Sequence, residues 1–196
     1  MPTDFFKAPS AISKELYGPR LILKKVQRNT NWEKDLFGMY SDEEAGLYNR
    51  WQKLDNMVQM GERMAHFVAD WEAGGLYRWV ILHQETGEAL GVFVLVRFDM
   101  RWKEVEIGFN LAKKHWRKGY MSETLNMVKS YLYRELKLER ITALVSTQNK
   151  PALALLNGNN FQIIGKYPGA FHKGNIQSDL QILQNLKEWN ATGSGL

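Results

Sequence analysis

Glu104–Thr124 reads EVEIGFNLAKKHWRKGYMSET, and this stretch decides the fold. Its first eight residues alternate, with Glu104, Glu106, Gly108 and Asn110 on one face and Val105, Ile107 and Phe109 on the other, the period of a strand. From Tyr120 to Lys137 the period changes. Met121, Leu125, Val128, Leu132 and Leu136 form the stripe of a helix laid on a sheet. Between strand and helix lie Lys113, Lys114, Arg117 and Lys118, with His115 among them. Cations close to a helix N-terminus oppose the macrodipole, at a cost of about 0.3–1 kcal/mol each. The first-turn N–H groups there lack intrahelical acceptors and can cradle an anion, phosphate above all. Gly119 lets the backbone approach such a ligand closely. The plainer alternative is an exposed turn that happens to be basic.

Outward from this unit, RLILKKV (Arg20–Val26), LYRWVILH (Leu76–His83) and ALGVFVLVRF (Ala89–Phe98) read as earlier strands, the last two as a hairpin around QETGE. Asn31–Gly74 is helical in pattern, with Met57, Met60, Met64, Phe67 and Trp71 on one stripe. After the long helix come a strand at Arg140–Thr147, a short helix at Lys150–Asn157, and strands at Phe161–Tyr167 and Ile176–Leu183. The order implies an α/β fold: one mixed, mostly antiparallel central sheet with helices on both faces. The helical crossover after EVEIGFNL makes the next pair parallel. Residues 1–19 read as a loosely ordered arm, 20–190 as one domain and 191–196 as a frayed tail.

The chain has 196 residues and a formal charge of +5, and its length suits one well-filled core. It lacks cysteine, which excludes disulfides, thiolate metal sites and a cysteine nucleophile, and fits a reducing, cytoplasmic setting. No apolar run approaches the roughly 20 residues that span a bilayer. The positive balance admits a nucleic-acid partner, but no basic–aromatic motif supports one. His66 and His83 have no second ligand nearby, and no metal site is expected.

The strand Glu106-Ile107-Gly108-Phe109-Asn110-Leu111 and the turn His115-Trp116-Arg117-Lys118-Gly119-Tyr120-Met121-Ser122-Glu123 resemble the GNAT acyltransferase superfamily, specifically its RimJ/RimL-like branch of ribosomal-protein N-terminal acetyltransferases. A second block, Asn149, Ala152, Leu156 and Asn160-Phe161, falls at the family's spacings. The likeness covers roughly Arg20 to Leu183. It implies the GNAT fold and acetyl-CoA as co-substrate. The pyrophosphate would rest on the backbone of Arg117, Lys118, Gly119, Tyr120, Met121 and Ser122. The pantetheine arm would run beside Gly108, Phe109, Asn110 and Leu111, with Asn149 as a further anchor. Large residues stand at Arg117 and Met121 where the family has small ones, and Asn160 stands where it has glycine.

Acetyl transfer to an amine needs a base for the ammonium proton, a donor for the oxyanion and an acid for the leaving thiol. Glu106, directed towards the cleft, is the first candidate base, with Glu104 in reserve; the bland reading is a surface glutamate. A backbone N–H of Asn110 or Leu111 would serve the oxyanion. The hydroxyls that the family uses as acid are replaced here by Ala152 and Leu156, leaving Ser146, Tyr167 or water, or a thiolate that departs unassisted. The acceptor is a primary amine, on a protein N-terminus or a small molecule. The resemblance puts its recognition in Asn31–Gly74, where Trp32, Trp51, Trp71 and Trp79 are either pocket or core, and at His172–Asn175. The chain is monomer or homodimer. A competing reading is a catalytically degenerate module that senses acetyl-CoA.

Overall fold

The computed structural model describes residues 6–9 and 11–187. The elements run β1 (Glu15–Tyr17), β2 (Leu21–Lys25), α1 (Trp32–Tyr40), α2 (Glu43–Gly46), α3 (Met57–Glu72), β3 (Tyr77–His83), β4 (Ala89–Asp99), β5 (Glu104–Leu111), α4 (Tyr120–Arg134), β6 (Arg140–Ser146), α5 (Lys150–Gly158), β7 (Gln162–Lys173) and β8 (Ile176–Leu186). One sheet takes all eight strands in the order β1-β2-β3-β4-β5-β6-β8-β7. Among the described residues only β5 and β6 pair in parallel, as the crossover through α4 requires.

Strand alternation supplies both cores. Trp79 and Ile81 of β3 are fully buried with Val105 and Ile107 of β5, under Leu125, Val128 and Leu132 of α4 and Leu156 of α5. Their neighbours Val80 and Leu82 face the other way, onto Leu36 and Met39 of α1 and Met60 and Met64 of α3. Helices therefore cover both faces.

Three local readings are corrected. The helical pattern of Asn31–Gly74 breaks into three helices, because Asp42 and Asn56 each accept an N–H with the side chain and start a new one. Residues 47–56 between α2 and α3 are not helical. The arm contains β1, which pairs with β2. It is held by Ser13, whose N–H donates to Tyr131 Oη (2.8 Å) and whose carbonyl accepts from Trp79 Nε1 (3.0 Å). The last two strands run longer than their apolar cores. The tail 191–196 lies outside the described residues.

Two features shape the centre of the sheet. In β4 the register with β5 shifts so that Leu95 faces Ile107 and Arg97 faces Glu106, which leaves Val96 as an extra residue. Such a bulge bends its strand. Beyond that point β5 parts from β6. Their pairing covers Glu104↔Arg140, Val105↔Ile141 and Glu106↔Thr142, while β5 follows β4 to Leu111 and β6 follows β8 to Ser146.

Gly91 holds β4 close against the other side of β5. A Cβ there would sit 2.0 Å from the Asn110 carbonyl oxygen and 2.8 Å from Leu111 Cα, both backbone atoms that cannot swing aside. Gly91→Ala should cost about 2–4 kcal/mol. For a chain of this size that lowers the melting midpoint by roughly 5–15 °C. An unchanged midpoint would mean that β4 and β5 lie further apart at this point.

Candidate active site

The end of β5 leads directly into the basic turn. Trp116 Nε1 donates to the Leu111 carbonyl at 2.8 Å, pinning the turn to the strand it leaves. The backbone then takes two left-handed steps, Arg117 at φ 59° and Gly119 at φ 80°, before α4 begins at Tyr120. Left-handed residues interspersed in a turn aim successive N–H groups into one concavity, a form suited to anions. For Gly119 the conformation is easy; for Arg117 it costs about 1–2 kcal/mol. The charge cluster of the sequence is divided by the fold. Lys113 pairs with Glu44, and Lys114 lies 2.5 Å from Glu88 Oε1. Arg117 and Lys118 have no carboxylate partner among the described residues and stay at the helix N-terminus.

Two residues that the sequence reading did not single out complete this end of α4. Glu123, in the first turn, accepts from the Arg20 N–H (2.8 Å) and from Arg20 Nε (2.7 Å). The Arg20 guanidinium lies 4.8 Å from the centre of the Tyr120 ring and donates to the Lys118 carbonyl at 3.3 Å. Arg20 thereby braces the turn from β2. No local spacing could reveal the pair, since its members are 103 positions apart. Beneath the turn His115 is buried, and burial holds its imidazole below the ordinary histidine range despite Glu88 nearby.

Gly108, Phe109, Asn110 and Leu111 lie on the part of β5 that has parted from β6. Asn149 caps α5, just after the end of β6, its Oδ1 accepting from the Ala152 N–H at 3.2 Å. Glu106 is on the last pair of the parallel ladder, half-buried. Burial raises its pKa above the usual glutamate value, opposed by Arg97 and Arg50 and aided by Glu104. Glu104 is engaged otherwise, accepting from Thr142 Oγ1 at 2.5 Å. Ser146 is 2% exposed, and its hydroxyl shares a 2.7 Å hydrogen bond with Ser178 Oγ while accepting from the Gln148 N–H. That bond joins β6 to β8 through the two hydroxyls. Met121 and Leu156 are core residues.

On the α1–α3 side of β5 a cleft of about 540 Å³ runs over Gly108 and Asn110 to Tyr40, Trp51, Arg63 and Phe67. Of these four tryptophans, Trp51 lines the cleft, Trp71 and Trp79 belong to the core under α4, and Trp32 packs against the core under α1 and α3. The turn between β7 and β8 reaches the same region, because Lys173 Nζ donates to the carbonyls of Gly46 (2.6 Å) and Trp51 (2.9 Å). Among the described residues no group of His, Asp or Glu is placed to hold a metal ion, and no helix is long and apolar enough to cross a membrane.

Residues 20–162 match the family model described as acetyltransferase (GNAT) domain. The chain belongs to the GNAT acetyltransferases. It is 29% identical over 169 residues to uncharacterized N-acetyltransferase YoaA of Bacillus subtilis, spanning 86% of this chain and 94% of that one. It is 32% identical over 149 residues to uncharacterized N-acetyltransferase p20 of Bacillus licheniformis, spanning 75% and 82%. Among solved structures, a GNAT-family acetyltransferase from Bacillus anthracis superposes with TM-score 0.74 at 20% identity, over 88% of this chain and 98% of that one. RimL, a ribosomal L7/L12 α-N-protein acetyltransferase in complex with coenzyme A, superposes with TM-score 0.77 at 17% identity, over 88% and 97%. These likenesses bear out the GNAT fold read from the two motif blocks, and RimL-type enzymes are among the structural neighbours.

The left-handed turn of this GNAT enzyme can be tested by a pair of variants that lose the same charge. Arg117→Gly should be more stable than Arg117→Val by about 1–2 kcal/mol, since a β-branched residue tolerates φ 59° badly. Thermal melts should separate the two by several degrees; coincident midpoints would show that residue 117 is not left-handed.

Proposed function

We propose that this GNAT enzyme is a cytoplasmic N-acetyltransferase that moves the acetyl group of acetyl-CoA to a primary amine by direct transfer with general-base help. One observation carries the reading: β5 parts from β6 after Glu106, and the strand left open runs straight into the concave turn at the N-terminus of α4. The opening offers to the amides of the pantetheine arm the backbone groups of Phe109 and the Leu111 N–H, which alternate away from β4, while the intervening Gly108 and Asn110 pair with β4. The turn offers the N–H groups of Arg117 through Ser122, with Arg117 and Lys118, to the pyrophosphate. Asn149, at the start of α5 after β6, is the further anchor for the arm. The chemistry that acetyl-CoA supplies is an activated thioester carbonyl.

The remaining work falls to the chain's own residues. Glu106 accepts the proton that the ammonium group must lose, directly or through water. Burial raises its proton affinity towards working pH, which suits a base. A β5 backbone N–H steadies the charge that develops on the carbonyl oxygen. The leaving thiol, if its pKa is about 8.5 like that of cysteine, can depart with help from water alone. A second reading, an acetyl-CoA sensor without catalysis, is favoured by the tie between Ser146 and Ser178 and by the burial of Leu156 where the family carries a hydroxyl.

Acetyl-CoA at 100 times its dissociation constant should stabilise the protein by about 2.7 kcal/mol, read as a rise in melting midpoint; no rise would remove both readings. Release of free thiol with an amine panel then separates enzyme from sensor. Across pH, the acid limb of kcat/KM should fall at a value above the ordinary glutamate range, because the folded state favours protonated Glu106. Glu106→Gln should lower the rate about 10²-fold or more and remove that limb while the acetyl-CoA shift persists. An unchanged rate would take Glu106 out of the mechanism.

A further inference from the structure

Arg63 is an unusual occupant of the cleft that runs over Gly108 and Asn110, on the face of β5 that also carries Glu106. It projects from α3, and its guanidinium lies 4.7 Å from the centre of the Tyr40 ring and 5.8 Å from that of Trp51. One arm, Nη2, donates to the Gln52 carbonyl at 3.1 Å. The other, Nη1, is buried without a hydrogen-bond partner. No carboxylate among the described residues pairs with it, and burial draws its pKa down with only the Tyr40 hydroxyl opposing.

The neighbouring charges sharpen the contrast. Arg78 also lines the cleft, but it and Asp70 neutralise each other at 2.6 Å. Lys173, above Trp51, bonds only backbone carbonyls. Arg50 acts on Glu106. Glu62 is exposed. Elsewhere on the surface cations find carboxylates, as in Lys25–Glu72, Arg20–Glu123 and Lys103–Glu139. A guanidinium held against the edge-to-face pair of Tyr40 and Trp51, with a buried donor unused, is prepared to receive an anion in a fixed orientation.

Resting on the acetyl-transfer reading above, we propose that the amine acceptor also carries a carboxylate, and that Arg63 receives it while the amine faces Glu106. The acceptor is then an amino acid or a short peptide with a carboxylate near its amine. Polyamines and other polycations meet Arg63, Lys173 and Arg50 as like charges and are poor acceptors.

The full-length protein with acetyl-CoA is assayed for thiol release with methionine, phenylalanine and aspartate against their methyl esters, with spermidine, and with β-alanine against phosphoethanolamine. Free acids should exceed their esters by about tenfold or more in kcat/KM, the discrimination that a charge-assisted hydrogen bond provides. Arg63→Met, which keeps an apolar stem against Tyr40 and Trp51, should erase that preference through KM while the acetyl-CoA thermal shift stays intact. Esters or spermidine used as well as the acids would overturn the proposal without touching the acetyl-transfer reading; a preference for phosphoethanolamine over β-alanine would make the anion a phosphate and overturn the carboxylate. A binding arm needs no turnover. N-acetyl-phenylalanine and N-acetyl-aspartate should bind more tightly than their methyl esters in calorimetry, and should lose that advantage in Arg63→Met. Equal binding of acid and ester, even in a protein that transfers nothing, would also overturn it.

Discussion

Backbone hydrogen bonding between β5 and β6 stops after Glu106 and Thr142, and this interruption organises the middle of the molecule. A strand inside a sheet normally satisfies its polar groups on both sides, and a buried group left alone costs about as much as a lost hydrogen bond. The parting is not slack in the fold. Val96 is inserted opposite Glu106 and Ile107, while Gly91 presses β4 against the carbonyl of Asn110. The sheet is tight on one side of β5 and open on the other, and the opening continues into the N-terminal turn of α4 through the Trp116 hydrogen bond to Leu111.

Electrostatics at that turn work by subtraction. Of the four cations in sequence between Lys113 and Lys118, two are engaged by Glu44 and Glu88 on separate elements, and His115 is buried in a low-proton-affinity setting. What remains beside α4 is smaller and more directed than the sequence suggests: Arg117, Lys118 and a set of first-turn amides, with Glu123 held aside by Arg20.

The sheet, its parallel pair and the long helix were legible because their signals are periodic and local. Alternation in Glu104–Leu111 and the stripe from Met121 to Leu136 each needed only neighbours in sequence, and the resemblance in His115–Glu123 added the family. Ser146 illustrates what was not legible. Its candidacy followed from residue type, whereas its hydroxyl partner, Ser178, lies 32 positions away on a neighbouring strand. Arg20, Arg63 and β1 escaped for the same reason, since each acquires meaning only from partners distant in the chain. Breaks inside Asn31–Gly74 were missed because Asp42 and Asn56 act as caps within a continuous helical pattern.

The turn at Arg117–Tyr120 has one more consequence, for behaviour in salt. Ammonium groups on long side chains are readily screened, since mobile ions compete for them within about 8 Å at physiological strength. Amides fixed by a left-handed backbone and a helix end carry their partial charges at immobile positions and present them at contact distance. An anion seated on such a surface is gripped mainly by oriented dipoles, so raising ionic strength should loosen it far less than it would loosen one held by a lysine-lined groove.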